Sequence, residues 1–320
     1  MDATQESGRI TAKDTKAAGI PWLFAPILGI AVQPGWSRVM ETYGEDPYLA
    51  SQLGAATVRG MQGGESGLGP LASPQAAAAC AKHFIGYSNS ENGHDRAPTV
   101  IPDRHLLEYF VPSFQAAFDA GVATVMNAYT EINGETMATS HKYLTELLRD
   151  VMGFSGMMVT DWGEIKNQFG FHHTAASEKD ATRLAMTRTS IDMSMVPASP
   201  NVVEYGTDLR ALLADGTVRE QHVTVAAGRV LQLKKDLGLF DDPHLESSLP
   251  LIDTVGQEAD RLVAKEVRSK SDTAFIALVS MQYNFLACNK LNMLVLSILI
   301  VLLLVLLLAD SKRVSGFAEE

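Results

Sequence analysis

The sequence predicts an α/β fold: an incomplete (β/α)8 barrel of the TIM type followed by a C-terminal hydrophobic helix. Three observations predict it. Short, nearly uninterrupted apolar runs alternate with longer stretches of helical spacing, the pattern of βα units around a parallel sheet. Those runs carry polar residues mainly at their C-terminal ends, where a barrel places its chemistry. Near the C-terminus, residues 291–309 contain no charged side chain, and their only polar members are Asn292 and Ser297.

Taken in order, residues 22–28 read as a strand and its exit. Residues 47–61 have helical spacing, with Leu49, Leu53 and Val58 on one side and Gly60 near the end. The glycine-rich stretch 62–70 reads as a surface loop. Residues 76–84 read as a small-residue strand or a helix-to-strand passage ending in Lys82-His83, and 106–120 as a helix closed by Gly121. A strand over 122–128, a helix over 144–152 and a glycine turn over 153–156 lead into the strand 157–160. A fifth strand over 191–196 and amphipathic helices over 209–214 and 223–237 complete the alternation. Five strands are counted where a full barrel has about eight.

The formal net charge is −11 with no basic cluster to offset it, which argues against nucleic acid as a partner. The two cysteines, Cys80 and Cys288, lie in unlike contexts and imply no disulfide framework. No glycine-rich phosphate loop precedes a helix, so no nucleotide cofactor is expected. His172-His173 lacks a third ligand at suitable spacing, so no metal is expected either. The N-terminus shows neither the basic start nor the apolar stretch of a secretory signal. At about 1.5 Å per residue the run 291–309 reaches roughly the thickness of a bilayer core. Its all-round apolar face suits lipid better than a soluble interior. A transmembrane helix over 286–312 is therefore expected, with a tail over 313–320 in which Arg313 follows Lys312.

Asp161 is the sharpest chemical signal. It leaves the C-terminal end of the strand 157–160 beside Trp162. A carboxylate there can attack an anomeric carbon while an indole stacks on a pyranose, but a strand-end Asp can equally cap the next helix. Lys82 and His83 end another strand and suit vicinal hydroxyls, or form a surface lysine beside a packed histidine. Arg38 can fork onto two sugar oxygens or pair with Glu41 or Asp46. Met126 and Tyr129 read as a core methionine and a half-buried tyrosine.

These pieces occur in one order that resembles the β-glucosidase branch of family 3 glycoside hydrolases. The matching segments are FAPIL (24–28), WSRVMETYGEDPYLAS (36–51), AKHFIGY (81–87), MNAYTEINGE (126–135) and GFSGMMVTDWGEI (153–165). The likeness runs from about Gly8 to Pro243, and a barrel domain is expected over 1–245 with its first strand missing. The resemblance implies that Asp161 is the nucleophile of a retaining mechanism and that the substrate is a β-glucoside or oligosaccharide. Arg38, Lys82, His83, Met126 and Tyr129 match positions lining the sugar subsite, and Trp162 matches an aromatic on the leaving-group side. The resemblance also implies a secreted location, at odds with the lack of a signal sequence.

The chain departs from the family pattern FAPVLDIARDPRWGR at Gly29, Val32, Gln33, Gly35 and Ser37. Charged groups that brace this loop in the pattern are lost, so Arg38 is expected without its usual supports. The family strand carrying an aspartate for the outer hydroxyls would precede Met1. Residues 246–285 resemble the start of the linker into a second α/β domain, which is expected to be absent. The branch's acid/base glutamate lies on that domain, and no position here carries it over. His94-Asp95 is similar to a His–Asp pair of another branch, although its flanking residues fit a solvated loop. The alternatives to a β-glucosidase are a non-catalytic, membrane-tethered sugar-binding remnant and a truncated gene product.

Overall fold

Five parallel strand segments lie side by side in chain order. The computed structural model describes residues 2–64, 70–196 and 201–266. Helix α1 (Asp2–Ala17) precedes a segment bridged to the sheet at Trp22 and Ile27. Helix α2 (Pro47–Gln62) leads to β1 (Cys80–Phe84), and a short α3 (Asp103–His105) and a π-helical turn lead to α4 (Val111–Asp119). Strand β2 (Thr124–Asn127) is followed by a small hairpin, β3 (Glu131–Ile132) and β4 (Glu135–Thr136), and a π-wound helix at Lys142–Val151. Strand β5 (Met157–Val159) opens onto α5 (Glu164–Gly170) and α6 (Glu178–Arg188). A final bridge at Met193 precedes α7 (Asn201–Ala214) and α8 (Glu220–Asp236). The order is 22–27, β1, β2, β5, 193, every pairing parallel.

Alternation sorts the strand side chains onto two faces. Ala77, Ala79, Ala81, Val125 and Met158 face the helices, where they pack with Val58, Met61, Phe114 and Leu144. Ala78, Cys80, Met126, Met157 and Val159 line the other face with Leu233 of α8 and Leu237 just past its end. Burial on both faces is why these strands read as unbroken apolar runs rather than as alternating ones.

Helix α2 stands where its spacing puts it, but with a different buried face. Leu49 is exposed, and Ala50, Gly54, Ala55, Val58 and Met61 point inward. Small residues are needed there because α1 crosses α2 at close range. A Cβ on Gly60 would lie 1.9 Å from the Gln5 carbonyl oxygen, and one on Gly8 would lie 2.7 Å from that of Thr57. Gln62, expected in a surface loop, is instead buried at the helix end. Its Oε1 accepts from the amides of Ala79 and Ala123 and its Nε2 donates to the Gly121 carbonyl, clamping the starts of β1 and β2 together.

Toward the other edge of the sheet, the start of β5 is held by charge. The Asp192 side chain, 1% exposed, accepts from Arg149 at 3.1 Å, Arg229 at 2.9 Å and the Met158 amide at 2.8 Å. Residues 2–263 belong to one compact unit. Within it a 3-10 helix at Glu246–Thr254 packs on α1, where Lys13 donates to Thr254 and Asp260. Among the described residues no helix is long and apolar enough to cross a membrane. The run 291–309, the expected helix 286–312, the tail 313–320 and residues 267–285 of the expected linker lie outside the described residues.

Candidate active site

The C-terminal ends of the strands converge on Asp161. Its carboxylate is two residues past β5, 8% exposed, with Oδ1 accepting from the Trp162 amide at 2.7 Å. Oδ2 is buried, has no hydrogen-bond partner among the described residues, and lies 3.3 Å from Nε2 of His83. The helix-cap alternative does not hold, because the N-cap of α5 is Gly163 and no side chain caps it. Burial raises the Asp161 pKa. The Trp162 amide and the cations Lys82 and Arg38 oppose that rise.

Lys82 and His83 both act on this carboxylate although adjacent strand residues should diverge. The register of β1 against β2 slips between Ala81 and Phe84, so alternation is already broken there. His83 is 3% exposed, and burial, Lys82 and Arg38 push its pKa well below the usual value, leaving it neutral. Burial, followed by Arg38, also lowers the pKa of Lys82.

Arg38 reaches the site from the loop after the first strand segment, its Nη1 3.3 Å from His83 Nε2. Of the two readings the sequence left open for it, pairing with Glu41 is the one present. Its guanidinium forks onto Glu41 at 2.7 and 3.0 Å, one turn onward, replacing the charges missing upstream in the loop. Tyr129 donates to the Trp162 carbonyl at 3.0 Å, and the Arg96 guanidinium lies 4.0 Å over its ring. Trp162 stands at the rim, 55% exposed. Met126 does not join these groups at the surface. It is buried beneath them, among Cys80, Met157 and Val159.

Sequence reasoning named Tyr129 but missed Trp36 and Tyr87, the rest of the wall behind His83. Trp36, Tyr87 and Tyr129 are buried together, with Tyr87 edge-on to Trp36 at 5.0 Å, to His83 at 5.2 Å and to Tyr129 at 6.0 Å. Their signal was an aromatic at each strand exit. Asp95 accepts from the Tyr87 hydroxyl, and His172 lies 3.2 Å from the buried Glu164. No group of three metal-ligating side chains occurs among the described residues.

Comparison with known proteins fits this arrangement. Residues 1–233 match the glycosyl hydrolase family 3 N-terminal domain. The chain is 46% identical to a lysosomal β-glucosidase of Dictyostelium discoideum over 88% of its own length and 34% of that protein's. It is 33% identical to a periplasmic β-glucosidase of Salmonella typhimurium, over 87% and 35% of the two chains. A mutant β-glucosidase from Listeria innocua, solved with laminaribiose, superposes with a TM-score of 0.77 at 30% identity, covering 83% of this chain and 36% of that one. The chain thus spans about a third of the length of these relatives. With a matching family domain over most of its sequence and an α/β fold like that of the solved β-glucosidases, the chain belongs to glycosyl hydrolase family 3.

Proposed function

We propose that this chain carries the glycosyl-transfer half of a retaining β-glucosidase reaction, with Asp161 as the nucleophile. The observation that carries the reading is Oδ2 of Asp161, a buried carboxylate oxygen without a hydrogen-bond partner among the described residues, beside His83 at 3.3 Å. In this step Oδ2 attacks the anomeric carbon, a C–O bond to Asp161 forms, and the glycosidic electron pair leaves with the aglycone oxygen. Arg38, Lys82 and neutral His83 hold the sugar hydroxyls. The Trp162 indole stacks at the leaving-group side, and Met126 supports the floor from beneath. The names of the relatives, and laminaribiose bound to the Listeria enzyme, support β-glucosides or their oligosaccharides as the substrate class.

Retention also needs a second carboxylate about 5 Å from the first. Near Asp161, Glu41 is held by Arg38, Asp95 by Tyr87 and Glu164 by His172. The proposal is therefore confined to the half-reaction, which an activated leaving group completes without an acid. The test is 2,4-dinitrophenyl β-glucoside: a burst of phenolate with one glucosyl group on the Asp161 peptide is expected. Saturable glucose binding with no burst would replace catalysis by sugar binding alone.

Burial also fixes the sign of a pH effect. Asp161 must be ionised to attack, and its pKa lies above the ordinary aspartate value, so the burst rate falls as pH drops through that raised pKa. Lys82→Met removes a cation that favours the ionised form, so the acid limb moves to higher pH. A limb unmoved in this variant means that Lys82 does not act on Asp161.

We also propose that residues 291–309 anchor the protein in a membrane, supported by their length and lack of charge. The full chain is expected in the detergent phase on phase partition. Leu303→Arg, which adds about 3 kcal/mol to insertion, is expected to shift it to the aqueous phase. Equal partition of the two proteins counts against an anchor.

A further inference from the structure

We infer that Glu164 and His172 are positioning residues: they form a bridge that locks the nucleophile loop to the hairpin beside Tyr129. The inference rests on Asp161 being the attacking group. Glu164 opens α5 three residues after Asp161, and its amide donates to the Asp161 carbonyl at 3.2 Å. Its carboxylate is wholly buried. Oε2 accepts from Asn167 at 3.0 Å, Oε1 accepts from Gln168 at 3.0 Å, and His172 Nε2 lies 3.2 Å from Oε1. The other ring nitrogen of His172 lies 4.0 Å from Oε2 of Glu131, at the start of β3 and two residues past Tyr129.

Two loops of the site are thereby joined twice. Tyr129 donates to the Trp162 carbonyl on the sugar side, and behind it His172, against Glu164 at 3.2 Å, approaches Glu131 of the other loop to 4.0 Å. The Trp162 peptide is then held at both ends, its N–H by Asp161 and its carbonyl by Tyr129. Packing alone does not require an acid at Glu164, because an apolar side chain of similar volume would fill the space without desolvating a charge. An acid at this place can accept several hydrogen bonds at once, and that fixes a loop. Reacting groups misplaced by about 1 Å lose roughly 10²-fold in rate.

The test uses the full chain carrying Glu164→Gln or His172→Gln, with 2,4-dinitrophenyl β-glucoside as substrate and glucose as competitive ligand. The expected result is a burst rate lowered roughly 10- to 100-fold, with glucose affinity within about threefold of the parent. Hydrogen exchange is measured on the same proteins. In His172→Gln, the Trp162 amide and residues 129–132 are expected to exchange faster together. A burst rate within twofold of the parent overturns the bridge. So does a loss of glucose binding as large as the loss of rate, or faster exchange confined to α5. If the parent itself gives no burst, the reading of Asp161 fails, and the exchange measurement alone decides the bridge.

Discussion

Asp161→Ala lowers the release of dinitrophenolate from 2,4-dinitrophenyl β-glucoside by at least about 10³-fold and leaves no labelled peptide. The expectation follows from where the carboxylate stands. Its Oδ1 is tied to the Trp162 amide, which fixes the plane of the group, while Oδ2 faces His83 and makes no hydrogen bond. The oxygen that would bond to carbon is thus the one left unoccupied by hydrogen bonding. Burial has removed much of its solvation, which raises its basicity and its nucleophilic strength together. Truncation to alanine also leaves room for a small anion where the carboxylate was. Added azide is expected to restore phenolate release and to yield the α-glucosyl azide, because it enters from the face that Asp161 left. Unchanged release in the variant would remove Asp161 from the mechanism. Rescue giving the β-anomer would place the attack on the other face.

How far the chain could be read without its structure depended on how each residue is buried. The five strand segments were readable because both faces are covered, so every position from Ala76 to Ala81, or from Met157 to Val159, is apolar or small. Helix α1 escaped the same reading because its inward face includes Lys13 and Lys16, neutralised or hydrogen-bonded by distant partners, and Gly8. No count of apolar spacing finds such a face. Helix α6 did carry a signal that was passed over: Ser177 accepts from the Asp180 amide, and Asp180 accepts from the amide of Ala176, a reciprocal cap. At the site, Asp161, Lys82 and His83 could be named because strand ends are where a parallel sheet exposes polar groups. Of the contacts that aim them, Glu41 under Arg38 was one of two partners that the spacing offered. His172 on Glu164 could not be named, because it depends on loop geometry that the order of residues does not encode.

Arg149→Met should be the most destabilising single change in the described part of the chain, at about 3–5 kcal/mol, a lost buried ion-pair partner. Its guanidinium donates to the carbonyls of Phe154 at 2.8 Å and Gly156 at 2.7 Å, to the Ser190 hydroxyl at 2.9 Å and to Asp192 at 3.1 Å. These contacts tie the helix at Lys142–Val151 to the turn before β5 and to the segment after α6. Methionine fills much of the volume but leaves those acceptors buried and unpaired. Burial pushes the Arg149 pKa down to about 10, so it is still a cation at neutral pH, and its loss leaves Asp192 with Arg229 alone among its cations. The pH dependence follows from Asp192. Burial already raises its pKa against the pull of the Met158 amide and both guanidinium groups. Removing Arg149 raises it further. A carboxyl whose folded pKa is raised contributes stability below its ordinary pKa and loses that contribution as pH climbs through the raised value. The deficit of the variant is therefore smallest near about pH 4 and grows toward neutrality. Thermal unfolding followed across that range checks both claims, with a drop in Tm of roughly 6–20 °C expected at neutral pH, from about 2–4 °C per kcal/mol. A drop below about 3 °C, or one of equal size at both ends of the range, would mean that the Arg149–Asp192 clamp does not hold the sheet together.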